Sequence, residues 1–169
     1  MLQFHRTKKW LGSLHKPHRK ITSHVIPGME NFKLDHDIHL YCVKADSFPD
    51  GIKAAQEKLA AISKSGGACN HFGVSFLYDD KILYMAAAQL KSEEQVPAGC
   101  ETYTLRKGNY ISIYITNFMK DTAQISRAFE TLLNDPRIDE NGCCAECYFP
   151  EGSDHGTAID VRCMVRLAD

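Results

Sequence analysis

The chemistry of this sequence is most concentrated at Gly142-Cys143-Cys144-Ala145-Glu146-Cys147-Tyr148-Phe149-Pro150, where one carboxylate stands among thiols and a phenol. Turn-forming residues bound the stretch, Asp139 to Gly142 before it and Pro150 to Gly156 after it, so its apolar and aromatic interior predicts a short strand. Side chains alternate along a strand, which sends Cys144, Glu146 and Tyr148 to one face and Ala145, Cys147 and Phe149 to the other. Glu146 therefore either sits on a wet face or lines a pocket. In a pocket that excludes water it would attract a cation strongly, and nearby aromatic rings would add face contacts to the same charge.

The same run contains Cys144-Ala145-Glu146-Cys147, the Cys-x-x-Cys spacing that holds zinc or exchanges disulfides when it lies on a turn. On an extended strand the two thiols face opposite sides, and no second such pair follows, so no metal is expected and the cysteines read as packed thiols. All seven (Cys42, Cys69, Cys100, Cys143, Cys144, Cys147 and Cys163) lie mostly in apolar surroundings and are odd in number, which argues for reduced thiols over a disulfide framework. His5, His15, His18 and His24 match no metal spacing, and a lone His71 is weak support for haem. Phosphate-loop and nucleophile-elbow patterns are missing, and no cofactor is expected.

A second candidate strand adds aromatic residues. Tyr110, Ser112 and Tyr114 alternate with Ile111, Ile113 and Ile115; the isoleucines suit a helix-facing side, which leaves the tyrosines to an open groove. The candidate ligand-binding set is therefore Glu146, Tyr148, Tyr110 and Tyr114. The first half of the chain offers only Ser75 or Val74 at the position symmetric to Glu146, so no second acid is expected.

The elements that must position these residues recur. Ile38 to Val43 predicts a strand; Asp46 or Ser47 caps a helix with Pro49 in its first turn and Ile52, Ala55, Leu59 and Ile62 on one face, which Ser65-Gly66-Gly67 ends. Phe72 to Tyr78 and Ile82 to Leu90 form a hairpin across Asp79-Asp80-Lys81. After a linker from Lys91 to Gly99 come strands at Glu101 to Leu105 and Tyr110 to Ile115. Asp121 caps a helix with Ile125, Phe129, Leu132 and Leu133 on one face, and strands follow at Cys143 to Phe149 and Ala158 to Leu167. Two helices, each followed by a hairpin, make an internal repeat of roughly 70 residues. Residues 1–35 read as a basic arm in which Thr7 to Leu14 allows a short helix and Ile21 to Ile26 a strand.

Composition sets the outer limits. The chain has 169 residues, 44% hydrophobic and 24% charged, ordinary values for one globular domain with a sufficient core. No apolar run reaches the roughly 18 residues of a membrane span, and Met1-Leu2-Gln3-Phe4-His5-Arg6 lacks a signal-peptide core, so a cytoplasmic protein is expected. The formal charge of −1 hides an asymmetry, because residues 1–35 hold seven Lys/Arg against two Asp/Glu. Such an arm invites a nucleic-acid reading, but no basic stripe interleaved with aromatics and no helix-turn-helix pattern accompanies it, so docking on the protein's own acidic body is preferred.

Lys107-Gly108-Asn109-Tyr110, the helical stretch Phe118 to Leu133, and Glu146-Cys147-Tyr148, in this order within a doubled strand-helix-strand-strand pattern, resemble the GyrI-like effector-binding domains over residues 36–167. That resemblance implies an α+β fold of two pseudo-symmetric units, about 36–90 and 101–167, with antiparallel sheets forming a concave groove and helices on the other face. It implies a small-molecule ligand, amphipathic or cationic and aromatic, bound against Glu146 for sensing, sequestration or transcription regulation. Hydrolysis of strained electrophilic toxins in the same groove, with Glu146 as general base and Tyr110 or Tyr148 as hydrogen-bond donor, and inhibition of a gyrase-like protein partner are the alternatives it leaves open.

Overall fold

The computed structural model describes residues 28–63, 70–79, 81–91, 95–150 and 158–169. The readings made for 7–14 and 21–26, the four N-terminal histidines, Cys69, the helix end at 65–67 and the loop after Pro150 lie outside the described residues. The chain runs through β1 (Met29–Leu34), β2 (Ile38–Lys44), α1 (Ile52–Ser63), β3 (His71–Tyr78), β4 (Lys81–Gln89), β5 (Glu101–Leu105), β6 (Gly108–Ile115), a 3₁₀ turn (Phe118–Lys120), α2 (Ala123–Leu132), β7 (Cys144–Pro150) and β8 (Ala158–Arg166). Two strand-helix-strand-strand units, β2-α1-β3-β4 and β6-α2-β7-β8, give the α+β architecture that the doubled pattern predicts. No helix among the described residues is long and apolar enough to cross a membrane.

Local sequence explains the elements. In α1 the spacing of Ala55 and Leu59 turns one face inward, and in α2 Ala128 and Leu132 do the same. Asp121 accepts a hydrogen bond from the Ala123 backbone N–H at 3.2 Å, so a carboxylate satisfies one of the free donors at the start of α2.

The strands form one antiparallel sheet in the order β1-β6-β8-β7-β3-β4-β2-β5, so β7 and β3 pair at its centre and join the two units. Each unit takes its outermost strand from the segment that precedes the other: β1 pairs with β6, and β5 pairs with β2. β1 falls within the stretch read as a basic arm. Its sequence, Met-Glu-Asn-Phe-Lys-Leu, has only Leu34 fully buried, so it carries little of the alternation that marks a strand.

The two faces of the sheet differ. One carries Leu40, Phe72, Val74, Tyr110, Ala145 and Met164, together with Leu34 from one edge strand and Leu105 from the other. Residues at opposite edges share that cluster because the sheet curls into a half-barrel around it. The concave face is therefore filled by its own side chains, and the helices lie on the convex face, as the resemblance implies. There α1 packs on Tyr41, Tyr84, Ala86 and Ala88, while α2 packs on Ile111, Val161, Cys163 and Val165. Between these two cores runs a strip of the central strands β7 and β3.

The internal symmetry can be placed residue by residue. Ala55 and Leu59 of α1 correspond to Ala128 and Leu132 of α2, the buried pair of each helix. Gly73 follows Leu59 by the same interval as Glu146 follows Leu132, so Gly73, and not Ser75 or Val74, is the counterpart of Glu146. Gly73 and Glu146 are also direct partners in the β3–β7 ladder, which puts the pseudo-twofold axis through that pair.

Candidate functional site

Glu146 projects from β7 into the strip between the helices. Its ladder partners are Gly73 on β3 and Cys163 on β8, and it shares their face. It is 9% exposed and, with Ser112, one of two buried polar residues among the described residues. The Tyr148 hydroxyl donates to Glu146 Oε2, and the Tyr84 hydroxyl reaches the same oxygen at 3.5 Å. Gln56 of α1 donates its side-chain N–H to the Tyr84 hydroxyl at 2.6 Å. Each phenol is backed by a further ring, with Phe48 centred 6.5 Å from Tyr84 and Phe118 5.6 Å from Tyr148.

Gly73 makes this arrangement possible. A Cβ there would run into Glu146 Oε2 and stand 2.6 Å from the Tyr84 hydroxyl oxygen, so only a residue without a side chain leaves the carboxyl its place. The backbone at Gly73 needs no unusual conformation; the requirement is space.

The electrostatics follow from burial. Loss of water pushes the Glu146 carboxyl up from the usual carboxylate range, and the hydrogen bonds from Tyr148 and Tyr84 oppose that shift. Burial, and then the neighbouring carboxylate, raises both phenols, which keeps them protonated as donors. Among the described residues no basic side chain contributes to the Glu146 balance or forms an ion pair with it. His71, on the same face and paired with Tyr148, has its pKa lowered by burial and stays neutral near pH 7.

Of the residues chosen from sequence, Glu146 and Tyr148 come together, whereas Tyr110 and Tyr114 lie on the opposite face. Register is the reason. Glu146 aligns across β8 with Cys163 and Ile113, so the glutamate shares the face of the isoleucines beneath α2. Tyr110 is 1% exposed in the concave core and donates to the Arg106 carbonyl at 2.5 Å. Tyr114, at 40% exposure, donates to Asp160 Oδ2 at 2.9 Å and packs on Phe149. A Glu146–Tyr110 acid-base pair therefore cannot form, and Tyr148 is the donor in reach. The Cys-x-x-Cys splits as strand geometry requires, with Cys144 in the α2 core and Cys147 against the concave core. Burial pushes the Cys147 thiol up to about 11 and Cys42 up to about 12, and raises Cys144 as well. Among the described residues no group of three or more His, Cys, Asp or Glu is placed to hold a metal.

Tyr84, Gln56, Gly73, Phe48 and Phe118 complete the site and were missed from sequence. Tyr84 had a readable signal. It heads the run Tyr84-Met85-Ala86-Ala87-Ala88, where small residues beneath a helix leave one large polar ring on the same face. Two cavities, of about 470 Å³ beside α1 at Cys42, Lys58 and Glu101 and about 340 Å³ at Phe32, Asn109 and Arg137, lie elsewhere, and Glu146 lines neither.

No protein-family model matches the sequence, and no curated protein matches it. Solved structures do. An integron cassette protein from the mobile metagenome of Vibrio cholerae is similar over 84% of this chain and 97% of its own, with a TM-score of 0.60 and 14% identity. SAV2435, solved bound to tetraphenylphosphonium, is similar over 83% of this chain and 93% of its own, with a TM-score of 0.54 and 10% identity. The EcmrR chain of a transcription complex with DNA is similar over 83% of this chain but only 57% of its own, with a TM-score of 0.52 and 8% identity. The fold is that of the GyrI-like effector-binding domains. At these identities the likeness is one of fold, and function rests on the site.

Proposed function

We propose that this protein binds a cationic, amphipathic aromatic small molecule between its two helices, with Glu146 as the counter-charge, in the service of sensing, sequestration or transcription regulation in the cytoplasm. The observation that carries the reading is a buried carboxyl held by two phenol hydroxyls with no cation beside it among the described residues. A buried acid of that kind is costly to ionise, and a cationic ligand is the partner that would compensate it. Oε1 accepts no hydrogen bond from a described residue, which leaves it for the incoming charge. Tyr84, Tyr148, Phe48 and Phe118 supply the ring faces that stabilise a cation and bury its apolar parts. Because Glu146 is nearly enclosed, a bulky ligand reaches it by rotation of the surrounding rings, of which Phe48 is the most exposed at 42%. The tetraphenylphosphonium bound to SAV2435 on the same fold is the natural probe.

The test is a calorimetric titration of the full chain with tetraphenylphosphonium. Glu146→Gln should weaken binding by about tenfold or more, equivalent to ~1.4 kcal/mol. A neutral molecule of the same shape should bind weakly to both forms. Equal affinity of the two proteins for the cation would remove Glu146 from the site.

A further inference from the structure

We infer that the site takes a monocation whose charge lies at the centre of the molecule, with apolar arms extending to both sides. This rests on the binding function proposed above and adds the shape and charge count of the ligand. The one carboxylate stands on the pseudo-twofold axis, because Glu146 is paired across the ladder with its own counterpart, Gly73. A charge that approaches Glu146 is thus equidistant in kind from both units. Those units contribute in parallel: Tyr84 from the first and Tyr148 from the second meet at the same oxygen. Phe48, which precedes α1, backs the first phenol, and Phe118, which precedes α2, backs the second.

Away from the axis the strand floor of the strip carries no second counter-charge among the described residues, and the carboxylates nearest the two rings, Asp46 and Asp50 beside Phe48 and Asp121 after Phe118, are solvent-exposed. Gln56 on the α1 side is neutral, His71 on β3 is held neutral by burial, and the Cys144 and Cys163 thiols are raised by burial and stay protonated. The symmetry mate of the carboxylate has no side chain at all. A ligand charged at the end of one arm would place that charge against neutral side chains while leaving Glu146 uncompensated, and a dication would do so with its second charge; both arrangements carry the penalty of a desolvated, unpaired ion.

The experiment compares tetraphenylphosphonium, charged at its centre, with 4-trimethylammonio-p-terphenyl, charged at one end, and with the bis-trimethylammonium terphenyl, charged at both. Tetraphenylphosphonium should bind about tenfold tighter than either, because a buried charge pair weakens as it is lengthened. Phe48→Ala and Phe118→Leu should each weaken tetraphenylphosphonium by a similar factor of about three to ten, as loss of one ring face from a two-sided cradle requires. A thermal melt of each variant establishes that it remains folded. If the end-charged cation binds as tightly as the central one, with Glu146→Gln still weakening both, the central-charge inference is overturned while the binding function stands. Failure of all three cations to bind overturns both.

Discussion

The two faces of the curled sheet treat buried polar groups in opposite ways. On the concave face the polar groups meet partners within the protein: Tyr110 donates to the Arg106 carbonyl, Arg166 pairs with Asp139 and Asp169, and Arg162 pairs with Glu30 while lying 4.4 Å over the Phe32 ring, although the Nε of each arginine is buried without a hydrogen-bond partner. On the convex face Glu146 has hydrogen-bond donors and, among the described residues, no opposite charge. The first arrangement largely compensates the charges and hydroxyls that burial takes from water. The second opposes folding of the free protein, a cost that the proposed cationic ligand would offset. Tyrosines occur on both faces, and their hydroxyls differ in what they meet: a backbone carbonyl for Tyr110, a buried carboxyl for Tyr84 and Tyr148.

The largest effect expected from that contrast lies on the concave side. Leu105, fully buried where the edge strand β5 meets the core, should cost about 2–5 kcal/mol on replacement by Ala, read as a lower urea midpoint with an unchanged slope. Below the unfolding range the variant should keep its affinity for tetraphenylphosphonium. A change in affinity as large as the change in stability would show that the two faces are not separable.

Gly73→Ala attacks the other face with a smaller cost to stability and a larger one to binding. The added methyl meets Glu146 Oε2 and the Tyr84 hydroxyl, so overpacking should cost about 1–3 kcal/mol and displace the carboxyl from between its two phenols. Titration should then show a weaker complex than the loss of stability alone explains. Full affinity in this variant would mean that the carboxyl position is unimportant.

Much of this fold is legible in the sequence, because helix faces and strand alternation are local signals: Ile52 to Ile62, Ile125 to Leu132 and the strands from β2 to β8 lie close to where their patterns put them. β1 was not legible, since three of its six residues are exposed and its pairing with β6 is a long-range contact. The site was half legible. Glu146 and Tyr148 share a face by strand alternation alone, but which tyrosines join them depends on register between β6, β8 and β7, and alternation within β6 does not set that. Inward isoleucines alone suggest that Tyr110 and Tyr114 share a face with the glutamate, whereas the ladder aligns Ile113, Cys163 and Glu146. Gly73 illustrates the same limit: a glycine in a strand announces close approach, but not what approaches.

The smallest effect, and the one whose sign is most informative, is that of Glu146→Gln on the free protein. Burial raises the folded-state pKa of this carboxyl above its unfolded value, so the native state holds its proton more tightly than the unfolded chain does. The stabilising contribution of the protonated form is complete below the unfolded glutamate pKa, about 4.3, and is lost as pH rises through the folded value. Gln keeps the hydrogen-bonding shape without the titration. The variant should therefore match the parent protein near pH 4 and exceed it at pH 8 by on the order of 1 kcal/mol, the scale of one buried polar group, in urea melts across that range. Saturating tetraphenylphosphonium should reverse the order at pH 8, because the cation stabilises the ionised carboxylate that Gln cannot supply. A Gln variant less stable than the parent at every pH, with or without the cation, would place Glu146 with the paired groups of the concave face, as a structural residue whose charge the protein already satisfies.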